Sequence, residues 1–394
     1  MIELSEDQKK ALNDILDWQA NPKTPFITMG GYAGTGKTTL MSILRNELYK
    51  KNKKLSVTFC SYTGKATRVL NSKLQEANSI YKTDFVGTIH SLIYSPVKNG
   101  RGDIISWEIK NTLKTDLIIV DEASMVDESI WKDLLSFKIP ILAIGDHGQL
   151  PPIRGKLNLM QNPIIKLEKI HRQAENNPII KLSVIAREGG VIEPKAYSNK
   201  VKKILKTDED TRETISDKLQ SFSDDMLVLC GFNATRVKLN QYIRESLDIL
   251  SPTPTVGDFV ICLKNNHQKE IYNGMIGKIT HIEDEAPDPK TGIVNWYYVN
   301  INILNESRTF KGSIYAHQFG SSSSSSGDEA FDFGRGELFD YGYALTVHKA
   351  QGSQAQKVVL FEERSQHMDD ETWRRWLYTG ITRAEEELYI VGKG

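Results

Sequence analysis

Residues Gly31-Tyr32-Ala33-Gly34-Thr35-Gly36-Lys37-Thr38 fill every fixed position of a Gly-x-x-x-x-Gly-Lys-Thr loop. They lie between an apolar run, Phe26 to Met29, and a stretch carrying Leu40, Ile43 and Leu44 at helical spacing. A loop of this kind works only where a strand leads into a helix, so it commits the chain to an α/β sheet. Its glycines let backbone N–H groups close around an anion at a helix N-terminus, where the helix dipole adds to the attraction. ATP and Mg2+ are therefore the expected cofactors. Lys37 is expected to reach the β- and γ-phosphates and Thr38 to bind magnesium, with Gly34, Thr35, Gly36 and Thr39 completing the nucleotide contacts.

The rest of the first 165 residues fits that frame. Strand candidates Leu55 to Cys60, Leu117 to Val120 and Ile141 to Ile144 alternate with longer amphipathic stretches. Tyr94 to Asp103, followed by Ile104, Ile105 and Trp107, reads as a hairpin around Asn99-Gly100, a small insertion at about 92–112. Tyr94 and Trp107 on it could pack against their own domain. Met226 to Leu229, Val358 to Phe361 and Leu388 to Val391 suggest a second α/β unit over 166–250 and 341–394. Between them, 251–340 shows short strands and glycine-marked turns, the pattern of a small β-barrel. A serine-rich stretch at 320–327 reads as a flexible connector, natural or engineered.

Composition narrows the class. With 394 residues, two or three compact units are expected, and 25% charged with 39% hydrophobic residues is an ordinary globular balance. Fifty basic residues offset fifty acidic ones, so any grip on nucleic acid must be local. Cys60, Cys230 and Cys262 are far apart and read as buried thiols, not as a disulfide framework or a zinc site. No apolar run approaches the roughly 20 residues that span a bilayer. The segment Met1 to Asp7 has no basic or apolar signal character, so an intracellular, cytoplasmic location with no membrane partner is expected.

Asp121-Glu122 follows the strand Leu117 to Val120, at the carboxyl edge of a parallel sheet where ligands bind. Asp121 is expected to hold the metal, leaving Glu122 to act as general base on water. Ser5-Glu6-Asp7-Gln8 opens a helix, and Gln8 has two readings: partner of Ser5 in a capping box, or contact to the adenine edge.

An ordered series of further motifs follows: Ser61 to Ala66, Thr88 to Ser91, Gly145 to Pro152, Leu167 to Gln173, Ala344 to Ser353 and Leu377 to Ala384. Together they resemble superfamily 1 helicases, specifically the RecD and Dda (1B) branch, over nearly the whole chain. That resemblance implies two RecA-like parallel-sheet domains with an SH3-like β insertion. It implies that Gln149 senses the γ-phosphate and that Arg172 and Arg383 reach the nucleotide from the second domain. It places Thr63, Lys65, His90, Ser91, Asn233, Thr346, His348, Lys349 and Ser353 near a nucleic-acid backbone, a set suited to gripping phosphates without reading bases. Tyr62 stands where that family more often has proline, and can stack or pack; the hairpin falls where relatives carry an insertion that splits the duplex, which implies that Tyr94 or Trp107 could stack on a base pair.

The function implied is an ATP-dependent helicase that moves 5′ to 3′ on single-stranded DNA. An ATP-switched subunit of a larger recombination or replication complex is the alternative, and RNA unwinding is a further rival. Single-stranded DNA and duplex junctions are the expected partners, with single-strand-binding or replication proteins as further candidates. A monomer is the simplest expectation, because one chain carries both halves of the cleft.

Overall fold

A computed structural model describes residues 4–98, 104–152, 157–170, 176–264, 266, 269, 271–304, 308–323 and 335–393. The chain opens with helix α1 (Glu6–Ala20), strand β1 (Phe26–Gly31) and α2 (Lys37–Lys51). There follow β2 (Val57–Ser61), α3 (Gly64–Glu76), β3 (Phe85–Thr88), α4 (Ile89–Ile93), the hairpin strands β4 (Tyr94–Lys98) and β5 (Ile104–Ile109), β6 (Leu117–Asp121), α5 (Glu128–Ser136), β7 (Ile141–Gly145) and β8 (Ile165–Leu167). Six of these strands form one all-parallel sheet in the order β3-β2-β6-β7-β1-β8. β6 and β7 are apolar at nearly every position because helices cover both faces. Leu40 and Leu44 of α2 pack on one face, and Ile130 and Trp131 of α5 on the other.

β8 pairs with β1, so the first unit runs beyond the expected boundary at 165. The Oδ2 of Asp7 on α1 accepts the backbone N–H groups of Glu168 and Lys169, extending this unit to Lys169. The hairpin forms, with Tyr94 opposite Ile109, while its expected turn at Asn99-Gly100 lies outside the described residues.

The second unit comprises α6 (Pro178–Glu188), β9 (Lys195–Ala196), β10 (Val201–Leu205), α7 (Glu209–Gln220), β11 (Met226–Cys230) and α8 (Asn233–Ser246). After the insertion strands β12 (Phe259–Cys262), β13 (Ile276–Asp284), β14 (Trp296–Ile303), β15 (Thr309–Tyr315) and β16 (Phe339–Tyr341), it resumes with β17 (Ala344–Thr346), β18 (Ala355–Phe361), α9 (Asp370–Ile381) and β19 (Ala384–Gly392). Its sheet runs β17-β11-β18-β19-β10-β9, parallel except at the short edge strand β9.

The insertion is a five-stranded antiparallel sheet, β15-β14-β13-β12-β16. It curls until Glu337, just before β16, bonds back to β15 through Tyr315 N–H and Ser313 C=O. Two buried ion pairs mount it on α8: Arg244 to Asp258 at the entry and Arg236 to Asp340 at the exit, both at 2.8 Å. The start of the serine-rich connector is specifically bonded, since Gly320 N–H donates to Asp340 and the Ser321 carbonyl accepts from Arg236; Ser324 to Gly327 lie outside the described residues. All three cysteines are buried free thiols. Among the described residues, no helix is long and apolar enough to cross a membrane.

Candidate nucleotide cleft and nucleic-acid groove

The sheet order β6-β7-β1 sets three carboxyl-edge loops side by side. They are the glycine loop after β1, Asp121-Glu122 after β6, and Asp146 to Gln149 after β7. Gly34 and Gly36 adopt φ of +81° and +74°, conformations that a side chain disfavours, and Gly36 caps α2. Lys37 Nζ folds back to donate to the carbonyls of Gly31 at 2.6 Å and Tyr32 at 3.1 Å. The Thr35 hydroxyl donates to Tyr32 O, and Thr38 and Thr39 occupy the first turn of α2.

Glu122 is held at φ +54°, a left-handed conformation that costs a non-glycine residue on the order of 1 kcal/mol. Burial, then the neighbouring Glu122, pushes the Asp121 carboxyl up to about 6, while Lys37 pulls it down. A buried carboxyl raised in this way fits a cation, whose charge would relieve both causes. No cluster of three or more His, Cys, Asp or Glu side chains able to hold a metal occurs among the described residues. Thr38 and Asp121 offer a hydroxyl and a carboxylate oxygen, a donor set that fits Mg2+ shared with phosphate oxygens.

Gln8 is buried behind the glycine loop. Its Oε1 accepts Ser5 N–H at 3.2 Å and its Nε2 donates to Thr35 O at 3.0 Å. The amide therefore both caps α1 and props the glycine loop.

The second unit closes over these loops. Arg187 of α6 stacks on the Tyr32 ring at 3.7 Å from its centroid, and Tyr32 packs against His147 on its way across. The Tyr378 hydroxyl of α9 joins Ala33 and Asp146, and Arg375 donates to the carbonyls of His147 and Gln149. Arg383 is buried at the cleft, bonded to the carbonyls of Thr379 and Ser353. Burial lowers its pKa, opposed by the charges of Glu122 and Asp146, which places the guanidinium within their field. Gln149 Nε2 contacts Asp146 at 3.4 Å, while its buried Oε1 has no hydrogen-bond partner among the described residues. Arg172 lies outside the described residues.

Sequence reasoning singled out neither Tyr378 nor Asp146, although both sit inside the quoted motifs. Tyr32 occupies a free position of its motif, and Arg187 carries no local signal.

A cavity of about 550 Å3 opens where the two units meet the insertion, and Thr63, Asn233, His348, Lys349 and Ser353 all line it. Asn233 starts α8 after β11, and His348 and Lys349 follow the adjacent β17. Burial lowers the pKa of His348; burial, then Arg236, brings Lys349 to about 8. Thr346 is buried just behind, its hydroxyl accepting Lys349 N–H at 3.4 Å. The Lys65 side chain lies outside the described part of the structure.

Two of the expected groove residues lie off the lining of this cavity. His90 is only 4% exposed and stacks on Tyr272 of the insertion, with ring centroids 5.2 Å apart, because its ring fills an aromatic cluster with Tyr62 and Tyr94. Ser91 is exposed, but its hydroxyl donates to Thr88 O at 2.8 Å, in the helix cap of α4 and outside the cavity lining. Tyr94 packs on its own unit, its hydroxyl 2.5 Å from Asp133. Tyr62 both packs and lines the cavity.

Two RecA-like parallel-sheet units facing each other across a glycine phosphate loop define a two-domain P-loop protein. The sequence model of the AAA domain matches residues 3–208, more than half of the chain, and that of the UvrD-like helicase C-terminal domain matches 341–391. The chain belongs to the AAA domain family, and the relatives it matches are superfamily 1B helicases. It is 26% identical over 412 residues to the ATP-dependent RecD2 DNA helicase of Deinococcus radiodurans, covering 99% of this chain and 49% of that one. It is 23% identical over 450 residues to the ATP-dependent DNA helicase dda of Enterobacteria phage T4, covering 99% of both. The chain spans half the length or less of several curated relatives that it matches. Among solved structures, the Pif1 helicase from Bacteroides in complex with ADP-AlF3 and ssDNA shares the fold, with a TM-score of 0.51, 19% identity, and 99% and 92% of the two chains covered.

Proposed function

We propose that this chain hydrolyses ATP in the cleft and uses the opening and closing of its two units to move 5′ to 3′ along single-stranded DNA, unwinding duplex ahead of it. The observation that carries this reading is the continuity of the two sites. The Gly352 segment beside the groove residues touches Met125, three residues beyond Glu122, so the two sites are joined by a direct contact.

Bound Mg2+ would neutralise phosphate charge, with Thr38 and Asp121 as its protein ligands. Lys37 exchanges its two loop carbonyls for phosphate oxygens. Glu122 accepts the proton of the attacking water, and the orphaned Oε1 of Gln149 accepts a second hydrogen bond from that side. Arg383, with Arg172 as its counterpart, stabilises charge from the second unit and ties closure to the presence of the terminal phosphate. Thr63, Lys65, Asn233, Thr346, His348, Lys349 and Ser353 hold successive backbone phosphates; His90 and Ser91 border the path through the insertion contact and the α4 cap. The curled insertion is read as an SH3-like barrel that holds the strand in the groove.

Similarity to the RecD subunit of a RecBCD enzyme, 31% identical over 191 residues, favours a second reading, a motor subunit of a larger assembly. Steady-state ATPase measured with and without single-stranded DNA or RNA tests the proposal. Turnover stimulated by DNA and abolished by Lys37→Ala supports it; equal turnover without nucleic acid contradicts it.

A further inference from the structure

Tyr378 has no exposed surface and sits on α9, yet its hydroxyl touches two loops of the opposite unit. Ala33 N–H of the glycine loop donates to it at 2.7 Å, and it donates to Asp146 Oδ2 at 2.6 Å. Those loops leave the neighbouring strands β1 and β7, so one phenol from across the cleft joins them. Asp146 also accepts Gly148 N–H at 2.9 Å and the Gln149 amide at 3.4 Å. With its nitrogen turned back to Asp146, Gln149 presents a buried Oε1 that has no partner among the described residues.

The same helix repeats the grip. Thr379 Oγ accepts Leu150 N–H at 3.0 Å, and Arg375 holds the carbonyls of His147 and Gln149 at 3.0 and 3.2 Å. Residues 146–150 are therefore fastened from the second unit along their whole length. A hydrogen bond to a buried carboxylate is among the stronger ones, and leaving that carboxylate short of a donor is costly.

We infer that Tyr378 is a positioning residue: through its hydroxyl the second unit locks Asp146 and the glycine loop together across the cleft and leaves Gln149 Oε1 to accept a hydrogen bond from the attacking water, so that the preference of the closed cleft for a triphosphate over a diphosphate, and its turnover, depend on it. This rests on the nucleotide reading above.

The test is Tyr378→Phe, which keeps the ring and removes only the hydroxyl. The dissociation constants of ADP and of a non-hydrolysable ATP analogue, each with Mg2+, are measured beside the melting temperature and the DNA-stimulated kcat and KM. The preference for the triphosphate analogue over ADP should fall by about tenfold, the size of one charge-assisted hydrogen bond, with kcat falling more than KM rises. Asp146→Asn should do the same, and the double variant should be no worse than the worse single one. A triphosphate preference within twofold of the unmodified chain in either variant overturns the inference, as does full additivity. The binding readout needs no turnover. An unmodified chain that fails to hydrolyse ATP with DNA sinks the functional reading, whereas an unchanged preference in an active chain sinks only the role of Tyr378.

Discussion

Gly352, at φ +72°, lies so close to Met125 that a Cβ built on it would stand 2.6 Å from the methionine sulfur. Met125 ends the short turn that follows Asp121-Glu122, and Gly352 lies between Lys349 and Ser353 of the groove. The glycine permits both the left-handed backbone and the close approach.

Gly352→Ala should therefore strain the left-handed loop by roughly 1–2 kcal/mol and push the Met125 side chain out of its place beside it. DNA-stimulated ATPase is expected to fall about tenfold or more while ADP binding, which needs the glycine loop alone, stays within about twofold. Measuring both on one preparation separates loss of coupling from loss of fold.

The strands around the glycine loop were legible because parallel strands buried on both faces are continuous apolar runs, as in Leu117 to Val120. The loop itself was legible because its glycines and lysine have fixed spacing. Contacts across the cleft were not: Arg187 and Tyr32 are 155 positions apart, and no local pattern announces a cation–π stack. The packing of His90 was hidden for a similar reason. A histidine in a motif suggests a ligand contact, and only the fold brings Tyr272, far along the chain, over its ring. β8 was missed as a strand because three residues, Ile165 to Leu167, are too few to show a period.

Lys349 predicts a pH dependence. In the DNA-free chain burial holds its ammonium near pKa 8, below the usual lysine value. A phosphate beside it would raise that value, so binding takes up a proton in this range. Affinity for single-stranded DNA should fall as pH rises above 8, by up to about tenfold per pH unit. Lys349→Arg, which stays charged, should flatten the profile; an unchanged slope in that variant would show that Lys349 does not meet the backbone.

Arg187→Ala removes the stack on Tyr32. Cation–π contacts contribute about 0.5–2 kcal/mol, so KM for ATP should rise about threefold to tenfold if the stack helps hold the second unit over the loop. Steady-state kinetics with saturating DNA measures this, and an unchanged KM would assign Arg187 to surface packing.

Arg244→Met leaves Asp258, which has no exposed side-chain surface, as an unpaired buried charge next to Tyr343. Breaking a buried pair from one side costs about 3–5 kcal/mol, so the first urea transition should move markedly to lower concentration. Replacing Lys195 of the exposed Lys195–Glu193 pair should leave that transition almost unmoved.

The central claim is that the cleft and groove make one directional motor. Strand separation on matched duplexes carrying either a 5′ or a 3′ single-stranded tail, with ATP and Mg2+ and with Lys37→Ala as control, tests it most directly. The account predicts ATP-dependent unwinding of the 5′-tailed duplex alone, lost in Lys37→Ala. Unwinding of only the 3′-tailed duplex, or of neither while ATP is still hydrolysed, would contradict it.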